Sequence, residues 1–287
     1  MTEVYLVSRH GAAVDGTAVG QVWGSVSEGL DIPFVRQPVE GAINLYTHGR
    51  SHFHRPQVEY AVYVNHGLAD KGNWAHHAGR FNQSVLPWAP ATERIEGSLW
   101  GGTPMLDAVM QQGWEPLVDV ALLTTINPMR NKGFNMSTSP ERGADIARAI
   151  KAAGYSVALG PHPSQHRGGV TPIASYDMAR VIVTDPGTAA YIGSTLGKPV
   201  IITPNTEPAK GSFEEMMIES DAWDRTRSVP DLIEAIGRAL NAETFAAAAR
   251  AYALLHPDPR TYPVGLERWR KHVLPALRAE AASVGLS

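Results

Sequence analysis

The sequence predicts an α/β protein made of two successive units, each built on a mostly parallel sheet. Three observations carry this. Short apolar runs recur along the chain and are separated by segments with helical spacing, the alternation that builds parallel sheets. The 287 residues correspond to about two units at roughly 150 residues each. The alternation weakens after about residue 75 and restarts beyond Gly113-Trp114-Glu115-Pro116, which reads as a linker.

The elements follow in order. Val4-Tyr5-Leu6-Val7 is a compact buried strand ending at Ser8-Arg9-His10-Gly11, and a helix covers about 15–28. Ile32-Pro33-Phe34-Val35, Ala42-Ile43-Asn44-Leu45-Tyr46 and Tyr60-Ala61-Val62-Tyr63-Val64 are three more strands. Gln57 to Asn65 alternates poorly, as expected of a strand covered on both faces. Ala75 to Pro90 reads as loop. Val118 to Thr125 opens the second unit as a strand. Ser139-Pro140-Glu141 then starts a helix, with a capping Ser and Pro in the first turn. Ile146, Ala149 and Ile150 form its apolar face, and Gly154 ends it. Tyr155 to Leu159, Val181-Ile182-Val183 and Pro199 to Ile202 are strands separated by helices. Ser228-Val229-Pro230-Asp231 opens another helix, with Leu232, Ile233, Ile236 and Leu240 at helical spacing. Leu266, Trp269, Val273 and Leu277 make one stripe on the last helix, bent at Pro275. No internal sequence repeat is visible.

Composition narrows the function classes. Apolar residues make up 44% and charged residues 18%, enough for a real core. No run approaches the ~18 uncharged apolar residues of a membrane span. Met1-Thr2-Glu3 does not begin a basic, then apolar, leader, so a cytoplasmic protein without an integral membrane segment is expected. With Cys at 0, disulfides, thiolate metal sites and cysteine nucleophiles are excluded. Residues 1–116 hold 7 Lys/Arg against 11 Asp/Glu, and residues 117–287 hold 18 against 17, so the halves carry −4 and +1. A dedicated duplex-DNA binder shows a basic surplus instead.

In open parallel sheets ligands bind at the carboxyl ends of strands, so polar signatures there carry the functional reading. In Thr184-Asp185-Pro186-Gly187-Thr188 an apolar strand runs into a Gly-Thr pair and then a helix. Gly187 permits close backbone approach, and the N–H groups at 187–189 suit an anion. His162, held between Pro161 and Pro163, follows a strand and is placed to donate to a phosphate or ribose. Asn65-His66-Gly67 through Lys71 follows a buried strand; His66 suits a general base and Lys71 suits stabilisation of a phosphate. Gly102-Thr103-Pro104-Met105-Leu106-Asp107 opens a short helix before the linker, with Asp107 favoured there by the helix dipole. The pairs His52/His54 and His76/His77 lack a metal-ligand spacing such as H-E-x-x-H. No G-x-S-x-G, Walker A or G-x-G-x-x-G sequence occurs, which removes support for hydrolase, P-loop and dinucleotide readings.

Taken as an ordered set, His66-Gly67…Lys71, Gly102…Pro104…Asp107, His162-Pro163 and Thr184-Asp185 resemble the pattern of the CDP-glycerol glycerophosphotransferase family, within the wider GT-B glycosyltransferase fold. The resemblance spans about residues 60–205. It departs from the family where Gly187-Thr188 replaces a serine pair and where Asn127-Pro128-Met129-Arg130 shortens a P-x-x-R segment.

The resemblance implies two Rossmann-like parallel-sheet domains facing an interdomain cleft. Residues 1–115 would be the acceptor domain, 116–262 the nucleotide-donor domain, and 263–287 a C-terminal helix crossing back onto the first. It further implies a transferase moving a glycosyl or polyol-phosphate group from a nucleotide-activated donor to an acceptor hydroxyl. His66 would be the base and Lys71 a charge stabiliser. Arg130, His162, Thr184, Asp185, Gly187 and Thr188 would bind the donor, with no metal or other cofactor. The acceptor stays open among a glycan, a polyol phosphate and a modified DNA base. Three alternatives share the fold: a virus-type glycosyltransferase acting on a hydroxymethylated pyrimidine, a nucleotide-sugar 2-epimerase relative, and a non-catalytic nucleotide- or glycan-binding module.

Overall fold

The computed structural model describes residues 2–8, 18–47, 53–64, 74, 76, 79–104, 115–123, 138–160, 178–241, 245–255 and 265–286. They divide into two units, one formed by Met1–Leu68, Asn73–Ala108 and Asp258–Ser287, the other by Ala69–Gly72 and Val109–Pro257.

The first unit is a six-stranded sheet in the order β2-β1-β3-β4-β5-β6. Its strands are β1 Val4–Val7, β2 Phe34–Val35, β3 Ile43–Tyr46, β4 Tyr60–Tyr63, β5 Gln83–Leu86 and β6 Leu99–Trp100, and its described helices begin with α1 Ala18–Leu30 and α2 Ala89–Arg94. Every pairing is parallel. The central strands β3 and β4 are buried at every position, which is why their apolar runs do not alternate.

One expectation needs correction here. The stretch 75–90, read as loop, contains all of β5 and the start of α2. β5 opens on Gln83 and Ser84, polar residues that are nonetheless 9% and 3% exposed. Their polar atoms are satisfied inside the fold: the Gln83 Nε2 donates to Glu280 at 3.1 Å, and the Gln83 Oε1 accepts from the Ser84 N–H at 2.7 Å. The last helix, read as bent at Pro275, carries a π-helical turn Trp269–Val273 just before that residue, between α8 Gly265–Arg268 and α9 Leu274–Ser283. The Leu274 N–H donates to the Trp269 carbonyl, a five-residue step. Because Pro275 has no N–H to continue the four-residue ladder, the wider turn absorbs the mismatch before it.

This C-terminal segment packs on the first sheet. Trp269, Val273, Leu277 and Ala281 are buried along one stripe. Trp269 meets Trp23 of α1 edge to face at 5.6 Å. The Arg268 Nε donates to the Trp100 carbonyl at 2.7 Å while its guanidinium lies 3.8 Å above the Trp100 ring. Glu280 accepts from the Tyr60 hydroxyl as well as from Gln83. Burial first, and then that hydrogen bond, push the Tyr60 phenol far above its usual range. A Cβ on Gly265 would overlap the Pro104 backbone, so the start of α8 requires glycine for close approach.

The second unit is a five-stranded parallel sheet in the order β11-β10-β9-β7-β8. Its strands are β7 Val118–Leu123, β8 Val157–Leu159, β9 Ala179–Thr184, β10 Val200–Ile202 and β11 Asp224–Arg225. Its described helices are α3 Pro140–Ala152, α4 Thr188–Thr195, α5 Phe213–Glu219, α6 Val229–Leu240 and α7 Phe245–Leu255. Val181 and Val183 face a core with Ile146 and Ile150 of α3 and Leu232 and Ile236 of α6. Ile182 points the other way, against α4, where a Cβ on Gly193 would stand 2.9 Å from it.

The two sheets share one strand order. In each, the chain steps from its first strand outward to the edge neighbour (β1 to β2, β7 to β8), then returns to the other side and continues away. Each sheet therefore has a topological switch point, between β1 and β3 and between β7 and β9. A threonine hydroxyl closes both. The Thr47 Oγ1 donates to the Val7 carbonyl at 3.2 Å, and the Thr184 Oγ1 to the Leu123 carbonyl at 2.6 Å. Among the described residues, no helix is long and apolar enough to cross a membrane.

Two predictions test this framework. Leu277 is fully buried, so Leu277→Ala should cost about 2–5 kcal/mol in a urea titration followed by tryptophan fluorescence. Asp119 joins three strands: it accepts from the Ser156 N–H at 2.9 Å and hydroxyl at 2.7 Å, and pairs with Arg180 at 3.5 Å. The Ser156 backbone bond, then its hydroxyl, hold the carboxyl below its ordinary value of 3.8. A depressed folded pKa stabilises above the unfolded value and the effect is lost as pH falls through the folded one. The stability gap between wild type and Asp119→Asn should be full at neutral pH and close below about pH 4.

Candidate functional site

Ligands of open parallel sheets bind beyond the carboxyl ends of strands at the switch point. Among the described residues, that edge of the second unit is built by those following β9 and β10 and by Thr138 before α3. Thr184, the last residue of β9, turns its hydroxyl back onto the Leu123 carbonyl.

β9 ends at Thr184, and Asp185, Pro186 and Gly187 lead into α4. Gly187 is buried and extended (φ 169, ψ −161) and occupies the cap position of α4; no side chain caps this helix. By contrast α3, α5 and α6 each begin on a serine whose hydroxyl accepts an N–H of the first turn: Ser139 from Arg142, Ser212 from Glu215 and Ser228 from Asp231. The Gly187 carbonyl accepts from the Ala190 N–H at 3.0 Å, while Thr188 is partly exposed as the first helical residue. A Cβ on Gly187 would meet none of the described residues within 4 Å. The turn combines backbone amides at the positive end of a helix, open space and a hydroxyl, which suits a phosphate.

Behind the turn lies a buried polar cluster. Asp185 is 0% exposed. Its carboxylate accepts from the Thr138 N–H at 2.9 Å, from the Thr138 hydroxyl at 2.6 Å and from the Thr203 hydroxyl. The Thr203 and Thr206 hydroxyls are 3.2 Å apart, and the Thr206 hydroxyl donates to the Thr203 carbonyl at 2.7 Å. Between Thr203 and Thr206, Asn205 takes a left-handed conformation (φ 58) that tightens the turn.

A second polar set fixes α4 from its far side. The Tyr191 hydroxyl donates to Glu214, itself fully buried, at 2.9 Å, and the Trp223 indole donates to the Ser194 hydroxyl at 2.8 Å. Tyr191 stacks on Phe213 at 6.0 Å and meets Trp223 edge to face at 4.9 Å. The middle and carboxyl end of α4 are thereby tied to the amino end of α5 and to Trp223 beyond it.

Of the residues expected at the site, Thr184, Asp185, Gly187 and Thr188 fall at this edge. His66, Lys71, Asp107, Arg130 and His162 lie outside the described residues, as do His52 and His77. Sequence reading did not single out Thr138, Thr203 or Thr206. The available signal was faint: Thr203 directly follows an apolar strand, as Asp185 follows Thr184 at the end of its own. Among the described residues, no group of three or more His, Cys, Asp or Glu side chains could hold a metal ion.

No protein-family model matches the sequence, and no curated protein sequence matches it. Solved structures do match its fold. The UDP co-structure of MnaA from S. aureus aligns with a TM-score of 0.55 at 13% identity over 97% of both chains. A putative UDP-N-acetylglucosamine 2-epimerase from Listeria monocytogenes aligns at 0.54 and 14%, over 99% of this chain and 98% of that one. The wall teichoic acid polymerase TagF aligns at 0.50 and 9%, over 85% of this chain and 74% of that one. The protein has a GT-B-like fold.

The Thr184 hydroxyl carries the switch-point closure of the second sheet. Thr184→Val keeps the shape but leaves the buried Leu123 carbonyl without this donor, and should cost about 1–3 kcal/mol in chemical denaturation.

Proposed function

We propose that the protein is a GT-B-type transferase that moves a glycosyl or polyol-phosphate group from a nucleotide-activated donor to an acceptor hydroxyl. The observation that carries this reading is the amide turn Gly187–Thr188, which no side chain caps, at the switch-point edge of the second sheet. In the proposal the donor's diphosphate rests on the amides at 187–189, with the Thr188 hydroxyl as a further donor. Thr184 and Asp185 shape the turn from behind. The family resemblance adds His162 and Arg130 as partners of the same diphosphate. It assigns the base to His66, which takes the acceptor's proton, and a supporting charge to Lys71. As the acceptor oxygen bonds to the transferred centre, the bond to the leaving phosphate breaks. Helix-end amides and cationic side chains then meet the charge that develops on the leaving group. The chemistry of the reading calls for no other cofactor.

A second reading has its own support. The S. aureus and Listeria monocytogenes structures align over nearly their whole length, whereas TagF is covered over 74%. An enzyme that rearranges a nucleotide-activated sugar, such as a 2-epimerase, would use the same diphosphate turn without an acceptor.

Thermal shift with CDP, UDP, GDP, ADP and TDP, without added metal, tests the shared premise. A ligand at 100 times its Kd adds about 2.7 kcal/mol. One nucleotide should stabilise the wild type, and Thr188→Ala should weaken that nucleotide about tenfold by removing a hydroxyl donor. Stabilisation by none of the five overturns both readings. With a binding nucleotide known, incubation with its sugar conjugate separates them: nucleotide release that depends on an added acceptor supports transfer, and an isomerised sugar with no release supports the epimerase.

A further inference from the structure

We infer that Asp185 is a positioning residue whose buried carboxylate couples the amide turn of α4 to the loop ends after β7 and β10, and so sets how tightly that turn holds a diphosphate. This rests on the reading of the turn as the donor's phosphate site.

The physical argument begins with burial. A carboxylate with no solvent exposure is costly unless donors replace its water. Asp185 draws its donors from two distant places: Thr138, 47 residues earlier, and Thr203, 18 residues later. The carboxylate therefore links the end of β9 to Thr203 just past β10 and to Thr138 at the entry of α3. Thr138 immediately precedes Ser139, the cap of α3, so the backbone N–H that Asp185 holds fixes the start of that helix. On the other side, Thr203 passes the constraint to Thr206 through a 3.2 Å hydroxyl pair.

Direction matters as much as bonding. Asp185 stands two residues before Gly187, the cap position of α4. Its oxygens turn to Thr138 and Thr203, and α4 begins on a glycine without a side-chain cap. An anion at the turn thus meets amides that Asp185 has held in place without occupying them.

Asp185→Asn tests the coupling, because it keeps the shape but turns one oxygen into an NH2 that faces the donors of Thr138 or Thr203. Two readouts apply. In hydrogen–deuterium exchange on the full chain, amides 138–142 and 203–206 should lose protection about tenfold together with 187–190, while β9 keeps its own. In titrations, the nucleoside diphosphate that binds wild type should bind about tenfold more weakly, with the parent nucleoside unchanged. Thr203→Val should reproduce the pattern and Thr203→Ser, which keeps the hydroxyl, should not; these variants also serve if the Asn form fails to fold. Exchange changes confined to 184–190 overturn the proposal, as does an equal loss of affinity for nucleoside and diphosphate. If no nucleotide binds wild type, the phosphate-site reading fails, and the affinity half of the inference fails with it. The exchange measurement then still decides the coupling.

Discussion

A carboxylate removed from water is tolerated only where the fold supplies donors, and among the described residues Asp185 takes donors from Thr138 at the entry of α3 and from Thr203 just past β10. That requirement organises the functional edge of the second sheet. Thr138 can donate both its N–H and its hydroxyl only if the chain enters α3 beside β9. Thr203 can reach the same carboxylate only if β10 ends level with Thr184, which the parallel register of Ile202 opposite Thr184 provides. The cluster and the register support each other, and the amide turn of α4 sits on top of both.

The same strand order in both units gives this edge a wider meaning. In each sheet the strand order reverses next to its first strand, and at each reversal a threonine hydroxyl satisfies the last carbonyl of that strand. A switch point splays the connections apart and leaves backbone polar groups near open space, where ligands of open sheets bind. Closing the strand ends with a short side chain satisfies the buried carbonyl and leaves the turns above available. The two units differ in what covers them. The first takes up the C-terminal segment, with Glu280 satisfying Tyr60 and Gln83 and with Trp269 wedged against Trp23. The second locks α4 and α5 together through Tyr191, Glu214 and Trp223.

The strands that sequence pattern identified are mostly apolar in their own residues. Val4–Val7, Tyr60–Tyr63 and Val200–Ile202 are apolar throughout, and Ile43–Tyr46 and Val118–Leu123 carry one polar residue each, Asn44 and Asp119, within an otherwise apolar run. β5 escaped notice because Gln83 and Ser84 look solvent-facing, and the partner that makes Gln83 at home in the interior is 197 residues away. β6 and β11, at two residues each, offer no pattern to read.

The site divides along the same line. Local sequence determined that Thr184-Asp185-Pro186-Gly187-Thr188 ends a strand, starts a helix and offers amides to an anion. It also determined the serine caps at 139 and 228, since a cap depends on residues only three apart. What Asp185 does with its carboxylate was decided by tertiary structure alone. Thr138 and Thr203 carry no mark that separates them from other threonines, and only the return of the chain across β7 brings them to one carboxylate. Spacing along a chain encodes a helix turn or a strand face, whereas the compensation of a buried charge depends on which distant donors the sheet topology delivers.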